Sequence, residues 1–225
     1  MRNCTASLIA AFCAIFALTS CSSSKTAEEH EFVDLGLSVK WATCNMGAQT
    51  PEQYGDYFGW GMTTPLPAPP YEWTWADYFK GIGGTGTKME DSGTELDPLR
   101  DYVLHNKGIE KTEYDAANVL WGDGWRMPTI DEIRELLNEC DWKWDAEKKG
   151  YLVVSRKNGN SIFFPVGGGR DGAITRNEGN IGCIWASTPN EGIPNYARFL
   201  FYYSAGRDWA GGNRFYGCNI RPVKD

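Results

Sequence analysis

The residue types best suited to recognition lie near the C-terminal end of the chain. Trp209 stands between Arg207 and Arg214 in the glycine-rich run 204–214, and tryptophan with arginine is the combination enriched at binding hot spots. Gly206, Gly211 and Gly212 predict an exposed turn there. Arg170 and Asp171 lie in a second glycine-rich stretch, and Tyr202 and Tyr203 fall where the preceding strand is expected to run out. These seven residues form the candidate ligand surface. Their chemistry is hydrogen bonding, charge pairing and ring stacking, with no bond made or broken.

Patterns that could carry other chemistry lack their companions. Residues 167–172 match G-x-G-x-x-G, but a dinucleotide site needs a helix opening at the third glycine, and 173–179 does not read as one. Residues 81–88 lack the Gly-Lys-Ser/Thr ending of a phosphate loop. The histidines are His30 and His105 alone, so a Ser-His-Asp arrangement has no evident base. Glu135 and Glu139 lie four apart and read as a solvated helix face rather than an acid–base pair. No metal site and no cofactor is expected. A formal charge of −7, without a Lys/Arg cluster, argues against a nucleic-acid partner.

The compartment is set by the first residues. Residues 8–18 are apolar and of signal-peptide length, too short for the roughly 20 residues of a membrane span. Leu18-Thr19-Ser20-Cys21 resembles a bacterial lipobox, in which the cysteine is lipidated. The expected organisation is a signal peptide (1–20), a polar tether beginning at the lipidated Cys21 (21–31) and one domain (32–225). Cys4 and Cys13 leave with the leader, and Cys44, Cys140, Cys183 and Cys218 remain in an oxidising compartment. Up to two disulfides with three connectivities are open to them.

The elements that hold the candidate residues read as α+β. Thr129 and Glu132 fit a capping box, and Ile130, Ile133, Leu136 and Leu137 form an apolar stripe, so a helix is expected over about 129–140. Asn158-Gly159 between two apolar runs predicts a hairpin. Strands are also expected at 39–44, 183–186, 196–203 and 215–223, with Phe199 and Phe201 facing the core. The prolines and glycines of 63–114 read as long surface loops. Trp41, Trp125 and Trp185 are expected in the core and Trp142 and Trp144 partly packed, whereas Trp73, Trp75 and Trp209 are candidates for exposure.

Three segments resemble a known family. They are residues 32–61, with Trp41-Ala42-Thr43-Cys44 and Tyr54-Gly55-Asp56-Tyr57-Phe58-Gly59-Trp60-Gly61, residues 116–129, with Trp121-Gly122-Asp123-Gly124-Trp125-Arg126-Met127-Pro128-Thr129, and residues 216–223, with Asn219-Ile220-Arg221-Pro222-Val223. Together they resemble the opening, middle and end of the Fibrobacter succinogenes major paralogous domain. That resemblance implies a C-type lectin-like fold with short antiparallel strands and long irregular loops, in an exported outer-membrane lipoprotein of Bacteroidota type. It implies no reaction. Such domains usually carry an aromatic residue at the position of Cys183 and a polar one at that of Cys218, so the two cysteines are expected as partners. Cys44 and Cys140 are the expected second bridge. The calcium-binding triplets of true lectins are missing. The expected function is a non-catalytic binding or adhesion protein, held to the membrane by lipid alone, that takes a glycan or protein ligand. The alternatives are an enzyme on the same fold, related to formylglycine-generating enzymes, and a structural subunit of an envelope complex.

Overall fold

Each α-helix among the described residues opens on a side chain that accepts backbone N–H groups otherwise left without partners. The computed structural model describes residues 30–225 other than Asp123 and Ala173. Thr74 caps α1 (Trp75–Gly81) in a reciprocal box with Asp77. Asp97 caps α2 (Pro98–His105), which has proline in its first turn. Asp115 caps α3 (Ala116–Trp121). Thr129 and Glu132 box the start of α4 (Ile130–Glu139), and Ile130, Ile133 and Leu136 are its buried stripe, as the sequence predicts.

The strands are antiparallel and gathered in small sheets. β1 (Phe32–Val33), β2 (Lys40–Ala42) and β3 (Trp125–Arg126) belong to one of them. β4 (Cys140–Asp145), β5 (Gly150–Ser155) and β6 (Ser161–Pro165) form a meander whose second connection carries Asn158-Gly159, with Gly159 at φ 78°. β7 (Gly169–Asp171) and β8 (Ile174–Arg176) make a hairpin. β9 (Ile181–Pro189), β10 (Tyr196–Tyr203) and β11 (Gly206–Asn213) form a three-stranded sheet with β10 at its centre. β12 (Val223–Lys224) completes the first sheet between β2 and β3. The architecture is mixed α+β.

The central three-stranded sheet divides the core. One face, with Ile184, Leu200 and Tyr202, packs with Ile133 and Leu136 of α4 and Val153 and Phe164 of the meander. The other face contributes Cys183, Trp185 and Phe199 to a cluster built on Phe58, Trp60, Tyr78 and Leu99. Cys183 and Cys218 are disulfide-bonded, which fastens β9 to the segment before β12.

Several motif residues have structural work. Arg126 pairs with Glu132 at 2.6 Å and Asp225 at 2.7 Å. Asp115 accepts from Met127 N as well as from the first turn of α3. Arg221 is fully buried without a carboxylate partner among the described residues, and it donates to Asn45 Oδ1 and to the carbonyls of Ala42, Thr43 and Phe163. Burial disfavours its charged form and lowers its pKa to about 10.

The structure corrects five expectations. Residues 63–114 are not all surface loop: they contain α1 and α2, and Trp73, Tyr78, Phe79 and Leu99 are buried. Trp73, expected to be exposed, donates from Nε1 to Phe215 O inside the core. The run 204–214 is strand β11 in unbroken register with β10, with only a tight turn before it. The strand expected over 215–223 is reduced to β12 and isolated bridges at Gly217, Cys218 and Asn219. The second bridge is absent, since Cys44 and Cys140 are both free. Cys140 is buried in the α4–meander core, whereas Cys44 is half-buried beside a surface hollow lined by Trp121 and Pro51. The two thiols have different neighbours, and burial raises that of Cys140 to about 11, so it stays neutral.

Candidate functional site

Alternation along β10 sends residues 199, 201 and 203 to one face of the sheet. The antiparallel register sets Trp185 opposite Phe199, Cys183 opposite Phe201 and Ile181 opposite Tyr203. The rings form a continuous row, with centroids 5.6 Å apart from Trp185 to Phe199, 6.5 Å from Phe199 to Phe201 and 5.8 Å from Phe201 to Tyr203. The row begins in the core at the fully buried Trp185 and ends in solvent at Tyr203, which is 41% exposed. Gly212 makes room for it: a Cβ there would lie 2.7 Å from the Phe199 ring.

Two hollows lie over the open half of this row. One, of about 430 Å³, is bounded by Asp171, Arg176, Asn177, Phe199 and Tyr216, with the Cys183–Cys218 disulfide in its floor. The other, of about 500 Å³, is bounded by Trp144, Asn180, Tyr203 and Ser204. They share Ile181 and Phe201, so they form one groove along the strand. At its rim Asp171 pairs with Arg176 at 3.0 Å across the β7–β8 hairpin. Tyr216 is 44% exposed. Aromatic rings of this kind give a ligand large contact area at low entropic cost, and the asparagine amides and the ion pair supply hydrogen bonds around them. Among the described residues, no group of three His, Cys, Asp or Glu side chains is placed to hold a metal ion.

The seven ligand residues expected from the sequence do not make one site. Tyr202 is fully buried and donates from its hydroxyl to Pro165 O at 2.8 Å. Arg214 is 2% exposed and pairs with Asp97 at 2.6 Å. Arg170 is also 2% exposed, and its guanidinium ties β7 to the carbonyls of Pro67, Tyr71 and Gly172. Burial lowers its pKa. The side chains of these three are buried and engaged in contacts within the fold, although Arg170 also lies along the groove. Asp171 and Tyr203 do border the groove. Arg207 and Trp209 lie on the opposite face of the sheet. There Arg207 sits over the Trp142 ring at 5.4 Å, and Trp209 is half-buried beneath Arg134 and Arg198.

Sequence reasoning missed Trp144, Ile181, Phe199, Phe201 and Tyr216 as groove residues. The period-two row Phe199, Phe201, Tyr203 is the available signal, although the sequence places Phe199 and Phe201 in the core and only Tyr203 at the ligand surface. The glycine motif at 167–172 becomes strand β7 and its flanks, with no helix at its third glycine. Cys21 and the residues expected to form a signal peptide lie outside the described residues. Among the described residues no helix is long and apolar enough to cross a membrane. No family model, no curated protein and no solved structure matches the chain.

Proposed function

We propose that the chain is a non-catalytic binding protein of the cell envelope. Its ligand, a glycan or a protein segment, lies in the aromatic groove over β9 and β10. The reading extends to a C-type lectin-like domain of the Fibrobacter succinogenes major paralogous type, held to the outer membrane by lipid on Cys21. The single observation that carries it is the aromatic row that leaves the core and continues uncovered to Tyr203. Exposed ring faces beside the Asn177 and Asn180 side-chain amides suit a sugar, whose C–H faces stack while its hydroxyls hydrogen-bond. The disulfide beneath the groove braces its floor. The lipobox-like leader and a disulfide both agree with an exported location. The test is a screen of the full-length protein against a glycan array and a panel of extracellular and envelope proteins. Saturable retention on one ligand class is the expected result. Retention on neither, together with turnover of a screened compound, would replace the binding reading with the enzymatic one.

A further inference from the structure

Behind the groove, on the α4 side of the same sheet, a second feature has no structural use. The guanidinium groups of Arg134 and Arg198 lie 4.4 Å and 4.9 Å from the centre of one ring, that of Trp209. Stacking holds a guanidinium by its flat face and leaves its in-plane N–H edge free, the edge that matches an oxyanion. Arg134 spends part of that edge on Asp131, at 2.8 Å. Arg198 is half-buried and makes no hydrogen bond or ion pair within the described residues. Two cations lie against one indole, and Asp131 pairs with only one of them.

A cradle lies beside Arg198. Gly211 stands opposite Arg198 on β11, and a Cβ at 211 would fall 2.4 Å from Asn190 Nδ2 and 3.5 Å from Arg198 Nη1. The Asn190 amide donor occupies the space a side chain at 211 would need, with the Arg198 guanidinium donor beside it, so the two donors converge over Gly211. The Asn190 side chain, like that of Arg198, has no hydrogen bond within the described residues. Both line a hollow of about 680 Å³ between α2, the start of α4 and the β9–β10 connection. Its other charged groups are Lys107, Arg134, Glu110, Asp131 and Glu191, and the Glu110 Oε2 atom is buried without a hydrogen bond, close against Gly108.

We propose that this hollow is a second binding site, specific for the oxyanion of an acidic sugar, a carboxylate or a sulfate. Arg198 and Asn190 grip the oxyanion over Gly211, and Arg134 adds charge from across Trp209. The site is separate from the aromatic groove, so it stands or falls independently of that reading. Its test is nitrogen-15 NMR of the full-length protein, titrated with D-glucuronate and with N-acetylglucosamine 6-sulfate. Neutral N-acetylglucosamine and sodium sulfate are the controls. At least one acidic sugar should shift the Arg198 side-chain and Trp209 indole N–H signals saturably, and the tighter of the two identifies the oxyanion. Arg198→Gln should weaken that binding about tenfold or more, the equivalent of one lost charged hydrogen bond. Gly211→Ala, whose Cβ would displace the Asn190 amide while keeping both arginines, should do the same, so a poorly folded Arg198 variant leaves the test intact. No response to either acidic sugar, an equal response to sodium sulfate, or full binding in folded Arg198→Gln would overturn the proposal.

Discussion

Asp97→Ala should be among the most damaging single substitutions in this chain. Asp97 and Arg214 pair at 2.6 Å with side chains 1% and 2% exposed. The aspartate also accepts from Ser92 Oγ at 2.9 Å and caps α2 through Arg100 N at 2.9 Å. Arg214 has no comparable reserve, since its Nε and Nη1 lack hydrogen-bond partners and Asp97 takes Nη2. Removing the acid strands a buried guanidinium, which costs about 3–5 kcal/mol, and losing the cap adds about 1 kcal/mol. Arg214→Met leaves a carboxylate that keeps two donors, so its cost should be smaller, about 2–3 kcal/mol. The double variant should be more stable than Asp97→Ala alone, because the unpaired charge is gone. Asp97→Asn, which keeps the capping oxygen, isolates the charge from the cap. Urea unfolding followed by circular dichroism, with m-values compared, measures all four. A cost below about 1 kcal/mol for Asp97→Ala, or a larger cost for Arg214→Met, would refute this reasoning and return Arg214 to the list of surface residues.

Three further outcomes follow from the same structure. In the folded protein at neutral pH, alkylation should modify Cys44 and spare Cys140, whose buried thiol stays protonated up to about pH 11, and peptide mapping should recover Cys183 linked to Cys218; a Cys44–Cys140 peptide would contradict this. Gly182→Ala would set a Cβ 1.9 Å from the buried Tyr202 ring, so thermal unfolding should register a loss of about 1–3 kcal/mol, and an unchanged Tm would show that the sheet yields there. Cys21→Ala should move the protein out of the membrane fraction and abolish palmitate labelling, whereas a soluble wild-type protein would remove the lipid anchor from the account.

What could be read from the sequence was what local physics decides. The α4 capping box and its apolar stripe involve neighbours within one or two turns, and so does the Asn158-Gly159 connection. The failures came where distant neighbours decide. Gly211 and Gly212 look like turn residues, yet they lie in a strand because the Asn190 and Phe199 side chains occupy the space a Cβ would need. In residues 196–203, aromatic and aliphatic side chains occur at both parities, so pattern alone could not tell that Leu200 and Tyr202 face the α4 core while Phe201 and Tyr203 face the groove. The start signals Thr74-to-Asp77 and Asp97-Pro98 were present, but they stood among prolines and glycines that read as breakers. Arg170 and Arg214 looked like surface charges because the carbonyls and the carboxylate that receive them lie about a hundred residues away.

The central claim is that ligand recognition takes place in the aromatic groove, and the double variant Tyr203→Ala/Tyr216→Ala tests it most directly. Both side chains are exposed, at 41% and 44%, and border its two hollows, so their removal should leave the fold intact. Affinity for the ligand retained in the screen should be measured beside thermal unfolding, with Arg207→Ala on the opposite face as the control. A loss of about tenfold or more is expected in the double variant with Tm unchanged, and wild-type affinity in the control. Undiminished affinity in the double variant, or a loss confined to Arg207→Ala, would contradict it.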